Sequence, residues 1–169
     1  MSKPSPGNYP TYFENYINQV QAGSVQEVIE KYGIELINRF KALPFEKATY
    51  SYAEGKWTLK EMLQHIIDTE RIFAYRAVAI ARKESIGLPG FDENVYAANS
   101  KANNRSWDSL LEEFGAVRTA TDMLLSSFDE EQLLQQGITN NNPTSVNAIA
   151  FIIYGHIIHH LNIINQRYL

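Results

Sequence analysis

Apolar residues along this chain recur mostly at intervals of three and four, the spacing that gathers them on one face of an α-helix. Val25, Val28, Ile29, Tyr32, Leu36, Phe40 and Leu43 form the first series; Ser24 and Glu27 precede or open it in the order of a capping box, and Pro44 follows its end. A second series, Met62, Ile66, Ile72, Phe73 and Ile80, begins after Lys56-Trp57-Thr58, with Thr58 and Glu61 as another capping box, and predicts a helix to about Lys83. Ser106 opens a third, in which Trp107, Leu110, Leu111, Phe114, Val117, Thr121, Leu124 and Phe128 keep a near-heptad seam. Asp129 and Gln132 mark a short extra helix ending at Gly137. Beyond the polar loop Thr139–Pro143, a last helix runs from about Ser145 to the C-terminus with almost no polar interruption.

Two stretches break this rhythm. Residues 1–23 carry Pro4, Pro6 and Pro10 among Tyr9, Tyr12, Phe13 and Tyr16, which predicts an extended arm, with at most a short helical turn, held to the body by its rings. Gly87, Pro89 and Gly90 end the second helix, and the connection from there to Arg105 is long for a compact bundle, so it is either functional or partly helical. Within it, Phe91–Tyr96 has the look of a short ordered turn. Four long helices, no convincing strand and no internal repeat predict an all-α four-helix bundle formed by residues 1–169 as one domain.

Composition narrows the chemistry. A chain of 169 residues with 44% hydrophobic content buries a sizeable core without disulfides or a structural metal. The absence of cysteine removes disulfides, thiolate-bound zinc, iron–sulfur clusters and a cysteine nucleophile, leaving nitrogen and oxygen as metal donors. A net charge of −4 without a run of Lys or Arg gives no footprint for nucleic acid or an anionic membrane. The first residues lack the apolar core of a signal peptide and no segment is read as a membrane span, so a cytoplasmic location is expected.

All four histidines lie on two predicted helices: His65 on the second, and His156, His159 and His160 on the last. His156 and His160 are one turn and about 40° apart, which lets both rings reach one ion. His156 falls within the stripe of Ile149, Ile153 and Ile163, the side expected to face inward. His65 shares its side of the second helix with Thr69, Ile72 and Arg76 and supplies a third imidazole. Three neutral imidazoles leave positions open to water or substrate, as catalytic metal sites do; zinc and nickel suit this donor set best, iron and manganese less well. Against this stands the ordinary alternative of core or surface histidines bonded locally, which is the better reading for a lone histidine and the poorer one for an inward-facing cluster.

Other residues carry weaker signals. His159 is an alternative ligand at i, i+3, with a supporting or surface role the better fit. Asp68 is placed to orient an imidazole, although an exposed helix carboxylate is the commoner fate. Tyr75 and Arg76 are candidates for the mouth of a pocket, where the guanidinium would hold an anionic small-molecule substrate; an amphipathic pair at the surface is equally consistent. The PGFDEN segment is either a lid or an ordinary packed loop anchored by Phe91. No Ser-His-Asp order, phosphate-binding glycine loop or H-E-x-x-H helix is present. Phe151, Tyr154, Ile158 and Leu161 give the last helix a second apolar side, which requires cover from the bundle itself or from a second copy, and a two-fold homodimer through this helix is the expectation.

Taken together, GKWTLKEMLQHIIDTERIFAYR, LPGFDENVY and GHIIHHLNIINQRYL resemble the DinB/YfiT-like family over nearly the whole chain, in the order of elements and in one histidine followed by H-x-x-x-H. The resemblance implies a four-helix bundle, often dimeric, with His65, His156 and His160 on a divalent metal. It also implies activity of one of three kinds. Characterised members of the wider superfamily transfer low-molecular-weight thiols such as bacillithiol, mycothiol or glutathione to electrophiles, which makes thiol S-transfer the first expectation. Metal-dependent hydrolysis through an activated water is the second, and a metal- or ligand-binding stress protein without turnover is the third. No thiol-specific motif is visible, and no carboxylate base stands beside the histidines in the sequence.

Overall fold

The computed structural model describes residues 2–169. Four long helices, α2 (Val25–Lys41), α3 (Leu59–Ala81), α5 (Trp107–Ser126) and α7 (Val146–Arg167), form the bundle, and each starts at a side-chain cap. Thr58 and Glu61 complete a reciprocal capping box at α3. At α2 only half of the box forms: Ser24 accepts from the Glu27 amide, while the Glu27 carboxylate reaches one residue further back, to the Gly23 N–H. Around the bundle the helices follow one another as α2, α5, α3 and α7, with α7 closing back on α2.

Three shorter helices complete the α structure: α1 (Glu14–Gln19), α4 (Glu93–Asn99) and α6 (Glu130–Leu134). The N-terminal arm is therefore helical where it matters, with a 3₁₀ turn at Thr11–Phe13 leading into α1. It docks on α7 and sinks Ile17 and Val20 into the core. Gly155 permits this, because a β-carbon there would collide with the Tyr16 backbone carbonyl.

One expectation fails outright. Residues read as a polar loop form a small antiparallel hairpin, β1 (Gln136–Thr139) with β2 (Asn142–Ser145), in which Gln136 faces Ser145 and Thr139 faces Asn142. Asn140 and Asn141 both take left-handed backbone angles, φ 47° and 62°, as a two-residue hairpin turn requires. These strands carry no alternation in the sequence, because β1 has a Gly and one large apolar residue and β2 has a Pro and none.

Helix α7 corrects one further expectation and removes the ground of another. By length and composition it passes as a membrane span, contrary to the sequence reading, yet 78% of its most apolar stretch is buried within the bundle. Phe151, Tyr154, Ile158 and Leu161, on which the homodimer expectation rested, are covered inside the chain, where α1, α2 and α3 pack around the helix. An all-round apolar helix is here the central helix of its own fold, and that face offers nothing to a second copy.

Candidate metal centre

His65 projects from α3, and His156 and His160 from α7, where these two bundle neighbours pack together. The rings converge through one type of atom: His156 Nε2 lies 3.0 Å from His65 Nε2 and 2.9 Å from His160 Nε2. Burial pushes the His65 pKa down to about 4. It also lowers those of His156 and His160 well below the ordinary imidazole value, and each is also disfavoured as a cation by neighbouring imidazoles. All three are neutral at physiological pH and carry a lone pair each, the state in which imidazole ligates a metal.

Nitrogen lone pairs at this spacing repel one another unless a proton or a cation lies between them. Only two Nε2–H donors, both aimed at His156, would satisfy the contacts without an ion, and His160 Nδ1 is buried with no hydrogen-bond partner at all. The donor atoms of the three residues lie within 4.8 Å of one another, and among the described residues no carboxylate joins the group. The donor set fits a divalent cation with nitrogen ligands and positions left over.

Packing fixes the rings. Trp57 lies against His65 with ring centroids 4.7 Å apart, and Thr69 Oγ1 stands 3.5 Å from His65 Nδ1. Tyr16, carried in by α1, meets the edges of His156 and His159 at 5.6 and 5.1 Å. His159 stays outside the convergent group, half-buried against Tyr16 and His160. Asp68 does not orient an imidazole: it accepts from Gln64 Nε2 at 2.9 Å, and Thr69 takes the place beside His65.

The imidazoles form part of the wall of a cavity of about 330 Å³. Its other walls are mostly aromatic, from Tyr12, Phe13, Tyr16, Trp57, Phe73 and Phe91, with Arg76, Glu93 and Asn140 as the polar additions. Tyr75, three-fifths exposed, lies outside this cavity, because one step along α3 turns a side chain about 100° away from Arg76. The PGFDEN segment is an exposed loop that gives Gly90, Phe91 and Glu93 to the cavity wall, with only Phe91 partly buried. Leu88 donates to Ile138 and accepts from Asn140, pinning the segment to β1, and the Asp92 carboxylate caps α4.

Glu93, Tyr16 and Asn140 were not singled out in the sequence. The arm and the hairpin are far from the histidines along the chain, and Glu93 reads there as a helix-opening acid. Glu93 places a carboxylate on the cavity wall, exposed and outside the group of converging histidines. It also raises the pKa of the Tyr16 phenol, second to the effect of burial, so that Tyr16 remains protonated.

Comparison with known proteins agrees with this architecture. The model of the DinB superfamily matches residues 35–164, more than half of the chain and all three converging histidines. The chain belongs to the DinB superfamily. Among solved structures, this DinB protein resembles YfiT from Bacillus subtilis, described as "a probable metal-dependent hydrolase with an unusual four-helix bundle topology", with a TM-score of 0.72 over 97% of this chain and 90% of that one. At 14% identity that likeness speaks for the fold alone. No curated protein gives a significant match to this DinB chain.

Proposed function

We propose that this protein is a metal-dependent hydrolase acting on small ester or amide substrates. The observation that carries the reading is the open group of three neutral imidazoles in the wall of a 330 Å³ cavity, with no fourth side-chain ligand among the described residues. The description of YfiT as a hydrolase on the same fold points the same way. When bound, a divalent cation would lower the pKa of a water at the open position and polarise the carbonyl to be attacked.

The chain's own groups handle the protons. Glu93 takes a proton from the attacking water and returns it to the leaving oxygen or nitrogen, as the water oxygen bonds to the carbonyl carbon and the C–O or C–N bond breaks. The Tyr16 phenol, held protonated, donates to the oxyanion that develops. Aromatic walls exclude bulk water and hold the apolar body of the substrate.

Thiol S-transfer is the second reading, favoured by the family resemblance. Here a bound cation would hold the thiol as thiolate, the thiol proton passing to the leaving group as sulfur bonds to an electrophilic carbon and the bond from that carbon to the leaving group breaks. The deciding experiment uses tag-free protein, loaded in turn with zinc, nickel, iron and manganese, on 4-nitrophenyl esters and on a chromogenic electrophile with and without a low-molecular-weight thiol. Ester turnover without thiol is expected. Product only when thiol is present would replace hydrolysis by transfer, and no turnover in any arm would leave a metal-binding protein.

A further inference from the structure

The cavity beside the histidines contains a cation whose charge the protein does not neutralise. Arg76 sits on the same stripe of α3 as His65 and Thr69, eleven residues and about 20° on from His65, and is 5% exposed. One hydrogen bond holds it, from Nη2 to the Pro89 carbonyl at 2.6 Å. Its guanidinium lies 5.2 Å from the centre of the Phe73 ring and 6.0 Å from that of Phe91. No carboxylate among the described residues pairs with it. The contrast is Arg118, fully buried and bonded to both Glu70 and Asp122.

A buried guanidinium with one carbonyl partner retains donors that water must serve, and leaving a buried cation without a counter-ion is costly. Its position argues for a purpose. The Pro89 carbonyl and the two rings restrain the guanidinium, which leaves its remaining donors available to a planar, bidentate acceptor. No second Lys or Arg lines the cavity, and Glu93 lines it, so the electrostatic balance suits a singly charged group rather than a phosphate dianion. The Cα atoms of His65 and Arg76 are about 16 Å apart along the helix, a span that the Arg side chain shortens by leaning toward the N-terminus. The space between is walled by Phe13, Tyr16 and Phe73.

We propose that Arg76 is the carboxylate anchor of the site, and that the substrates are monocarboxylates whose apolar or aromatic body separates the carboxylate from the group that reaches the histidines. This rests on the hydrolase reading for its chemistry, but the recognition itself is testable by binding alone.

The test is a titration followed by the fluorescence of Trp57, which lines the cavity, in a Trp107→Phe background and in chelator so that no carboxylate can bind a metal. The probes are 4-phenylbutyrate and its neutral isostere 4-phenylbutyramide. A charge-assisted bidentate contact predicts tighter binding of the carboxylate by about tenfold to a hundredfold. Arg76→Gln should bring the two probes to within about threefold, and Arg76→Lys should retain part of the preference, since a point charge replaces the fork. Equal affinities in the parent protein, no binding of either probe at millimolar concentration, or a preference that survives Arg76→Gln would each overturn the proposal. Because the parent comparison requires no variant at position 76, misfolding of Arg76→Gln would not rescue it. Preference without ester turnover would keep Arg76 as the anchor and remove the hydrolase reading; turnover of esters with no carboxylate preference would do the opposite.

Discussion

Tyr154 and His156 stand two residues apart on α7, about 200° around the helix, and each belongs to a cluster of buried polar groups. On the Tyr154 side, Arg118 of α5 donates to Glu70 of α3 at 2.8 Å and to Asp122, which also accepts from the Tyr154 hydroxyl, and the guanidinium lies 4.3 Å from the Tyr154 ring centre. Burial by itself would lower the pKa of Arg118, but Glu70, Tyr154 and Asp122 together outweigh it and hold the group charged. On the His156 side three like groups meet, none charged, none paired with an acid, and one with a ring nitrogen left unbonded. The first cluster pairs its charges within the chain, although Arg118 Nε and Glu70 Oε2 make no hydrogen bond, and it ties three helices together. The second is incomplete without a ligand and opens into a cavity. Buried polarity is thus structural where its charges close on each other and functional where they do not.

Breaking the closed cluster should have the largest effect. Arg118→Ala strands Glu70, whose side chain is 1% exposed, and should cost about 3–5 kcal/mol in urea denaturation. Next comes Gly155→Ala, which forces α1 and Tyr16 away from the histidines. Overpacking of this kind should cost about 1–3 kcal/mol and reduce turnover together with stability.

Removing ligands from the open cluster should cost far less stability. His65→Ala and His160→Ala, compared with the parent in chelator, should lose about 1 kcal/mol or less, while elemental analysis shows bound metal falling to background. A collapse of stability in these variants would make the histidines structural and erase the contrast.

A last contrast concerns pH, and it grows as pH falls. Burial holds His65 at about 4 and His156 and His160 well below 6.5, the value an unfolded histidine keeps. As pH falls through 6.5 the unfolded chain takes up protons that the folded chain refuses, so the urea midpoint of metal-free protein should decline between about pH 7 and 4. His65→Leu with His156→Leu should flatten that slope. An unchanged slope would mean that the acid sensitivity comes from elsewhere in the protein.

Much of this was legible along the chain because it depends on local rules. Thr58 and Glu61 announce α3 through a capping box that closes within four residues, and the i, i+4 spacing alone places His156 and His160 on one face. The hairpin was hidden because its pairing lies in backbone bonds, with little side-chain pattern to betray it. Arg118 and Glu70 drew no notice as ordinary charged helix residues, since only packing shows that both are buried and opposed.

The sequence by itself therefore determined the long helices, their order and which imidazoles share a helical face, because each follows from periodicity and capping over a few residues. Tertiary structure decided the rest. It brought Tyr16 to the histidines and Glu93 to the wall of their cavity, left Arg76 unpaired while pairing Arg118, and enclosed α7 within its own chain. The physical reason is that burial and charge pairing are properties of neighbours in space, and for these residues the neighbours come from segments far away along the chain.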